Sequence, residues 1–141
     1  MGVLCVLAVG CGRLVEGQPV APAREGGDQS LIVAYFERSN AAARGGPAAQ
    51  AEFLARTQHP DVARQCDLGA LTVLLEPSLS TLRPDDGWRP ARADRTPRGA
   101  VYLIAVTVTV QRDGATVGTQ VGSMHVVVLD AAVYGFAPCP T

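Results

Sequence analysis

Hydrophobic positions fall into two regimes along the 141-residue chain. From Leu31 to Leu54 the apolar residues recur at helical spacing. From Leu71 onward they alternate with a period of two. In the first regime, Leu31, Ile32, Tyr35 and Phe36, continued by Ala42 and Ala43, mark one face of a helix expected from about Gln29 to Arg44, with Asp28 as its N-cap. Gly45-Gly46 ends it. Pro47 suits the first turn of a second helix, where its missing N–H costs nothing. That helix is expected to reach about Gln58, with Phe53 and Leu54 as its anchors. Pro60 stops it, and Asp61 caps one further turn leading to Cys66.

In the second regime, Leu71–Leu75 reads as a strand ended by Pro77, and Ser78–Leu82 as an extension or a separate strand. Arg83–Arg98 is a long loop with Trp88 as its anchor on the core. Val101–Gln111 is the strongest strand signal. Asp113-Gly114 is a two-residue hairpin turn of the kind that needs positive φ. Ala115–Leu129 runs back, Asp130-Ala131 turns, and Val133–Ala137 makes a last short strand. Helices followed by a hairpin-rich antiparallel sheet is an α+β order.

The turn sets an expected register in which Arg112 faces Ala115, and alternation then fixes the faces. One face stacks Val110 with Val117, Val108 with Thr119, Val106 with Val121, Ile104 with Ser123 and Tyr102 with His125. It is the more apolar face and should meet the helices. Tyr102, Ser123 and His125 would then form a polar cluster there, a candidate ligand pocket. A bulge along the pair would move them to the other face.

The first twelve residues form an apolar run too short to cross a bilayer, which takes roughly 20 residues. Its length fits the apolar region of a signal peptide. The run ends in Ala8-Val9-Gly10-Cys11, which resembles a bacterial lipobox. The resemblance implies a diacylglycerol on Cys11, cleavage just before it, and anchoring to the outer face of the cytoplasmic membrane. The sequence departs from that pattern at Ala8, where leucine is usual, and in having no basic residue before the apolar run. Plain secretory cleavage and an ordinary apolar segment of a cytosolic fold are the other readings. Residues 12–27 hold Pro19, Pro22 and several glycines with no sustained period, as expected of a flexible tether.

With Cys5 in the signal and Cys11 carrying lipid, Cys66 and Cys139 remain as a pair in an oxidising compartment. Their bridge would close a loop of roughly 74 residues, worth about 4 kcal/mol in the chain-entropy account. Two unrelated buried thiols are the alternative. No Cys-x-x-Cys or His/Cys cluster suggests a metal, and no cofactor motif is present.

Composition narrows the function classes. The net charge is −1, and all twelve basic residues are arginine. A nucleic-acid partner, which needs a dense basic footprint, is not expected. His125 is the best candidate base, but the central strands carry no Asp or Glu to pair with it. A half-buried structural histidine is the preferred reading, and His59 is read as a helix-end residue. Ser123 lacks a nucleophile-elbow setting. Asp85-Asp86-Gly87 is read as a turn, since further calcium ligands are absent.

The order of two helices, a connecting segment and long strands with a tight hairpin resembles the cystatin-like superfamily, in particular nuclear-transport-factor-two-like domains. Thr119–Leu129, Tyr134–Cys139 and Thr57-Gln-His-Pro-Asp61 look like uncharacterised actinobacterial lipoproteins. The resemblance covers about residues 28–139. It implies two or three N-terminal helices packed on a curved antiparallel sheet of about four strands, a cystatin-like cone. That superfamily hosts enzymes, ligand carriers and machine subunits, so fold alone does not fix function. The expectation is a lipid-anchored, non-catalytic module that binds a protein partner or a small apolar ligand. An isomerase- or cyclase-like enzyme and an accessory subunit of an envelope transport or conjugation complex are the alternatives.

Overall fold

Helix α1 spans Ala23–Arg44 and α2 spans Pro47–Thr57 in the computed structural model, which describes residues 23–62, 67–91 and 93–136. All four cysteines, and with them the expected lipid site and disulfide, lie outside those residues. The buried face of α1 is Ile32, Tyr35, Phe36, Ser39 and Ala43, the i, i+3, i+4, i+7 spacing of a core-facing stripe. The helix begins earlier than its apolar period predicts and extends into the stretch expected as tether. Asp28 is therefore inside the helix rather than capping it. Its carboxylate accepts a hydrogen bond from the Tyr102 hydroxyl at 2.6 Å, a tertiary contact that no local pattern encodes.

Gly45-Gly46 separates the helices as expected. The Gly45 N–H closes onto Ala41 and Ala42, and Gly46 has a φ of 100° that a residue with a Cβ rarely adopts. Pro47 then opens α2. Phe53 and Leu54 of α2 are buried against Tyr35 and Phe36, with the Tyr35 ring 5.6 Å from each of the two phenylalanine rings. A 3₁₀ turn, Pro60–Val62, follows.

Strands β1 (Leu71–Pro84), β2 (Ala100–Arg112), β3 (Ala115–Leu129) and β4 (Ala132–Tyr134) form one antiparallel sheet in sequential order. The α+β class, with two helices packed against a four-stranded sheet, is as the sequence implies. Pro77 does not end β1. It sits on the edge strand, opposite Val106, where its missing N–H interrupts no ladder bond. Between Ser78 and Arg83 the strand bulges away from β2. The Thr81 hydroxyl spans the gap, accepting the Ala105 N–H at 2.8 Å and donating to the Ser78 carbonyl at 2.7 Å.

The hairpin turn is as expected: Asp113 and Gly114 have φ of 52° and 78°, and Arg112 faces Ala115. The register beyond it is not. Gln111 faces Thr116, but Val110 faces Gly118, so Val117 is an extra residue in β3. Every later pair is displaced by one place, and every β3 side chain past the bulge changes face. Tyr102 faces Val126 instead of His125, Ile104 faces Met124 instead of Ser123, and Val106 faces Gly122 instead of Val121.

The main core lies between the helices and the face of the sheet that carries Val73, Leu75, Tyr102, Ile104, Val106 and Val126. The opposite face has its apolar burial at one end, where Val101 pairs with Val127 and both are inaccessible. The loop from Asp85 to Gly99 belongs to this second, smaller packed region. Gly99 has a φ of 106°, and a Cβ there would press on Val127 at 2.6 Å.

Candidate functional site

The Val117 bulge separates the three residues expected to share a pocket. Tyr102 is buried on the helix face, bonded to Asp28. Ser123 and His125 face the other way, opposite Ala105 and Leu103, and Ser123 is exposed.

His125 finds a carboxylate that strand-by-strand reading misses. Its Nε2 donates to Asp85 Oδ2 at 2.8 Å. Asp85 is held by its own backbone: its N–H donates to the Val101 carbonyl at 2.9 Å, and its carbonyl accepts the Trp88 N–H at 3.1 Å. The Asp85-Asp86-Gly87-Trp88 turn thus brings both the acid and the indole onto β3. The Trp88 ring stacks on the His125 ring at 4.0 Å with a 13° tilt. One face of the imidazole is covered, and one nitrogen is committed to the carboxylate.

The other end of the same loop is held by the chain's second histidine. His59 is completely buried. Its Nε2 donates to the Arg98 carbonyl at 2.8 Å, and its Nδ1 accepts the Asp61 N–H at 3.2 Å. A backbone N–H can only donate and a carbonyl can only accept, so the pattern specifies the neutral imidazole with its proton on Nε2. The Asp61 carboxylate takes the Arg98 guanidinium at 2.8 Å from Nη2 and 3.1 Å from Nε, and also accepts the Arg98 N–H at 3.2 Å. These charge-assisted bonds from the Arg98 side chain, with the backbone N–H second, hold the Asp61 carboxyl at a pKa of about 2. The same pairing raises the Arg98 guanidinium.

Phe136, just beyond β4, connects the two ends. It stacks on His59 at 5.9 Å and meets Trp88 edge-on at 4.7 Å. Tyr134 meets the His59 ring edge-on at 5.9 Å. The chain's two histidines are thus the terminal members of one aromatic row, His59–Phe136–Trp88–His125, and each grips one end of the Asp85–Gly99 loop.

The arrangement ties the loop at both ends. An Asp–His pair is the raw material of a general base. Here the histidine is stacked and bonded at the foot of a loop, and Tyr102 is on the far side of the sheet. An open hollow of about 420 Å³ is lined by Asp61, Asp94, Arg95, Pro97 and Arg98 among others, and its Arg98 is paired with Asp61. Among the described residues no group of three or more His, Cys, Asp or Glu is placed to hold a metal ion. No described helix is long and apolar enough to cross a membrane. Gln58, beside His59, is buried with neither amide atom hydrogen-bonded among the described residues.

Trp88 was legible as a loop anchor, since a lone tryptophan among prolines and arginines has few other ways to be buried. Asp85, Phe136 and Arg98 were not, because only the folded paths of the loop and of the chain beyond β4 bring them to the histidines. Comparison of the chain with protein-family models, with curated proteins and with solved structures finds no match.

Proposed function

We propose that the chain is an exported lipoprotein, held at the outer face of the cytoplasmic membrane by a lipid on Cys11, whose domain is a non-catalytic binding or accessory module. The observation that carries the non-catalytic half is the use of both histidines to tie down one loop. The anchoring half rests on Ala8-Val9-Gly10-Cys11 and its resemblance to a lipobox.

The disulfide between Cys66 and Cys139 belongs to the same reading, and the geometry next to it is favourable. Gln58 and Gly135 form a parallel bridge, in which the Gly135 N–H donates to Thr57 at 2.8 Å and its carbonyl accepts the His59 N–H at 3.0 Å. The described chain therefore runs parallel at Gln58 and Gly135, eight residues before Cys66 and four before Cys139 in sequence. A bridge there would staple the second packed region that the aromatic row occupies.

The helix-then-sheet order fits a cystatin-like cone. An isomerase- or cyclase-like use of such a cone needs the polar side chains to line the space between helices and sheet. That space is occupied by Ile32, Phe36, Ile104 and Val106, all essentially inaccessible, and His125 is on the other face. The partner is then a protein or a small apolar ligand met at the surface, with the membrane met only through the lipid.

The test is a turnover screen on small ketones and enolisable substrates with the full-length protein and its His125→Ala variant. Neither should show activity. The variant should instead change the emission of Trp88, the chain's one tryptophan, as the loop loses its tie. Turnover in the native protein that His125→Ala abolishes would overturn the non-catalytic reading.

A further inference from the structure

The two long edges of the sheet are finished differently. On β1, the outward backbone groups of Val73 are taken by the Gln50 side chain and those of Leu75 by the Asn40 side chain. The next outward position is Pro77, which has no N–H to offer. Three successive docking positions on that edge are closed.

On the other side, β4 covers only Val127–Leu129 of β3. From Ala115 to Val126, β3 has no strand on that side among the described residues, and Ala115–Ser123 are all exposed. This stretch contains no Lys, Arg, Asp, Glu or Pro, the side chains that ordinarily blunt an edge. The Val117 bulge interrupts it near the turn and leaves Gly118–Val126 regular. The direction of its free groups follows from the Asp130-Ala131 turn, which makes Leu129 and Ala132 a bonded pair. Alternation from Leu129 sends the N–H and C=O of His125, Ser123, Val121 and Thr119 to the open side.

We propose that this edge is a self-association site, at which Gly118–Met124 of β3 pairs antiparallel with the same segment of a second copy about Val121. A twofold interface requires a patch that complements itself, and this one does. It is uncharged, so two copies meet without like-charge repulsion. Val121 is the most exposed large hydrophobic side chain among the described residues, at 79%, and pairing about it sets Val121 against its own copy. The same register places Thr119 opposite Ser123 of the partner subunit, a favourable cross-strand pair. The result is one continuous sheet of twice four strands, capped at both ends by the amide-sealed β1 edges.

The experiment is sedimentation equilibrium of the full chain, read beside amide hydrogen exchange and repeated on Val121→Lys. The native chain should move toward twice the monomer mass as concentration rises. The amides of Thr119, Val121 and Ser123 should slow with it, while those of Gly118, Gln120 and Gly122, bonded to β2, stay slow throughout. Val121→Lys should lose both the association and the concentration-dependent protection while keeping the native unfolding midpoint, since its side chain is exposed. A chain monomeric at every concentration overturns the proposal, as does a dimer that leaves those three amides fast or survives Val121→Lys. A monomer in which they slow only on adding an unrelated uncharged strand peptide assigns the edge to another protein and overturns self-pairing equally.

Discussion

Gln50 acts toward Val73 as a neighbouring strand would: its Nε2 donates to the Val73 carbonyl at 2.7 Å and its Oε1 accepts the Val73 N–H at 2.8 Å. Asn40 repeats the arrangement two residues on, bonding both backbone groups of Leu75 at 2.7 and 2.8 Å. One amide comes from each helix, so the pair keys α1 and α2 to a fixed register on β1 while sealing its edge. Gln50 is buried, so its loss strands a buried donor and a buried acceptor. Gln50→Met, which keeps the length and the apolar stem, should lower stability by about 2–4 kcal/mol in a urea titration. A loss under about 0.5 kcal/mol would mean that water replaces the amide and that the edge is not sealed.

Gly135 and Tyr35 give a second prediction, because a Cβ on Gly135 would fall onto the Tyr35 hydroxyl. Tyr35 is buried, and burial raises its hydroxyl pKa, partly offset by a hydrogen bond with Thr57 and by the Arg38 charge. The ring is hemmed in by Phe36 and Phe53 and has little room to yield. Gly135→Ala should cost about 1–3 kcal/mol as overpacking. Adding Tyr35→Phe removes the atom that clashes, so the cost of Gly135→Ala should be smaller in that background. A double-mutant cycle with no coupling would contradict the contact.

The Asp61–Arg98 pairing makes a signed prediction about pH. The folded-state pKa of Asp61 is about 2, below its ordinary value of 3.8. A depressed carboxylate contributes stability that is fully present above the unfolded value and lost as pH falls through the folded one. The difference in melting temperature between the native protein and Asp61→Asn should therefore be constant above about pH 5 and shrink between pH 4 and pH 2. Both groups are on the surface, so the difference should also narrow at high salt. A gap that persists unchanged at pH 2 would show that Asp61 acts through something other than its charge.

Much of the fold follows from local chemistry. Gly46-Pro47 and Asp113-Gly114 punctuate the chain where they stand, because each position needs a backbone that only a few residues adopt. What was not legible depends on long-range registry. The hairpin turn fixes the first two pairs correctly, but Gly118 at the bulge is matched by Gly122 further along the same strand, so neither glycine singles out the site, and one extra residue moves Ser123 and His125 away from Tyr102. Pro77 reads as a strand end because its missing N–H is fatal in a central strand, yet it is harmless at an edge that two side-chain amides already close. The carboxylate partner of His125 was hidden for a related reason. Asp85 lies forty residues away in sequence, in a turn whose local signature says only that the chain reverses.

We propose an exported domain tied at one end by lipid and across its second packed region by a disulfide. Intact-mass and peptide-mapping mass spectrometry of the protein purified from membranes of a lipoprotein-processing bacterial host tests this most directly. The expected species begins at Cys11, carries a diacylglycerol there, and yields a peptide linking Cys66 to Cys139 that separates only on reduction. An unprocessed chain beginning at Met1, with four free thiols and recovered from the cytoplasm, would contradict it.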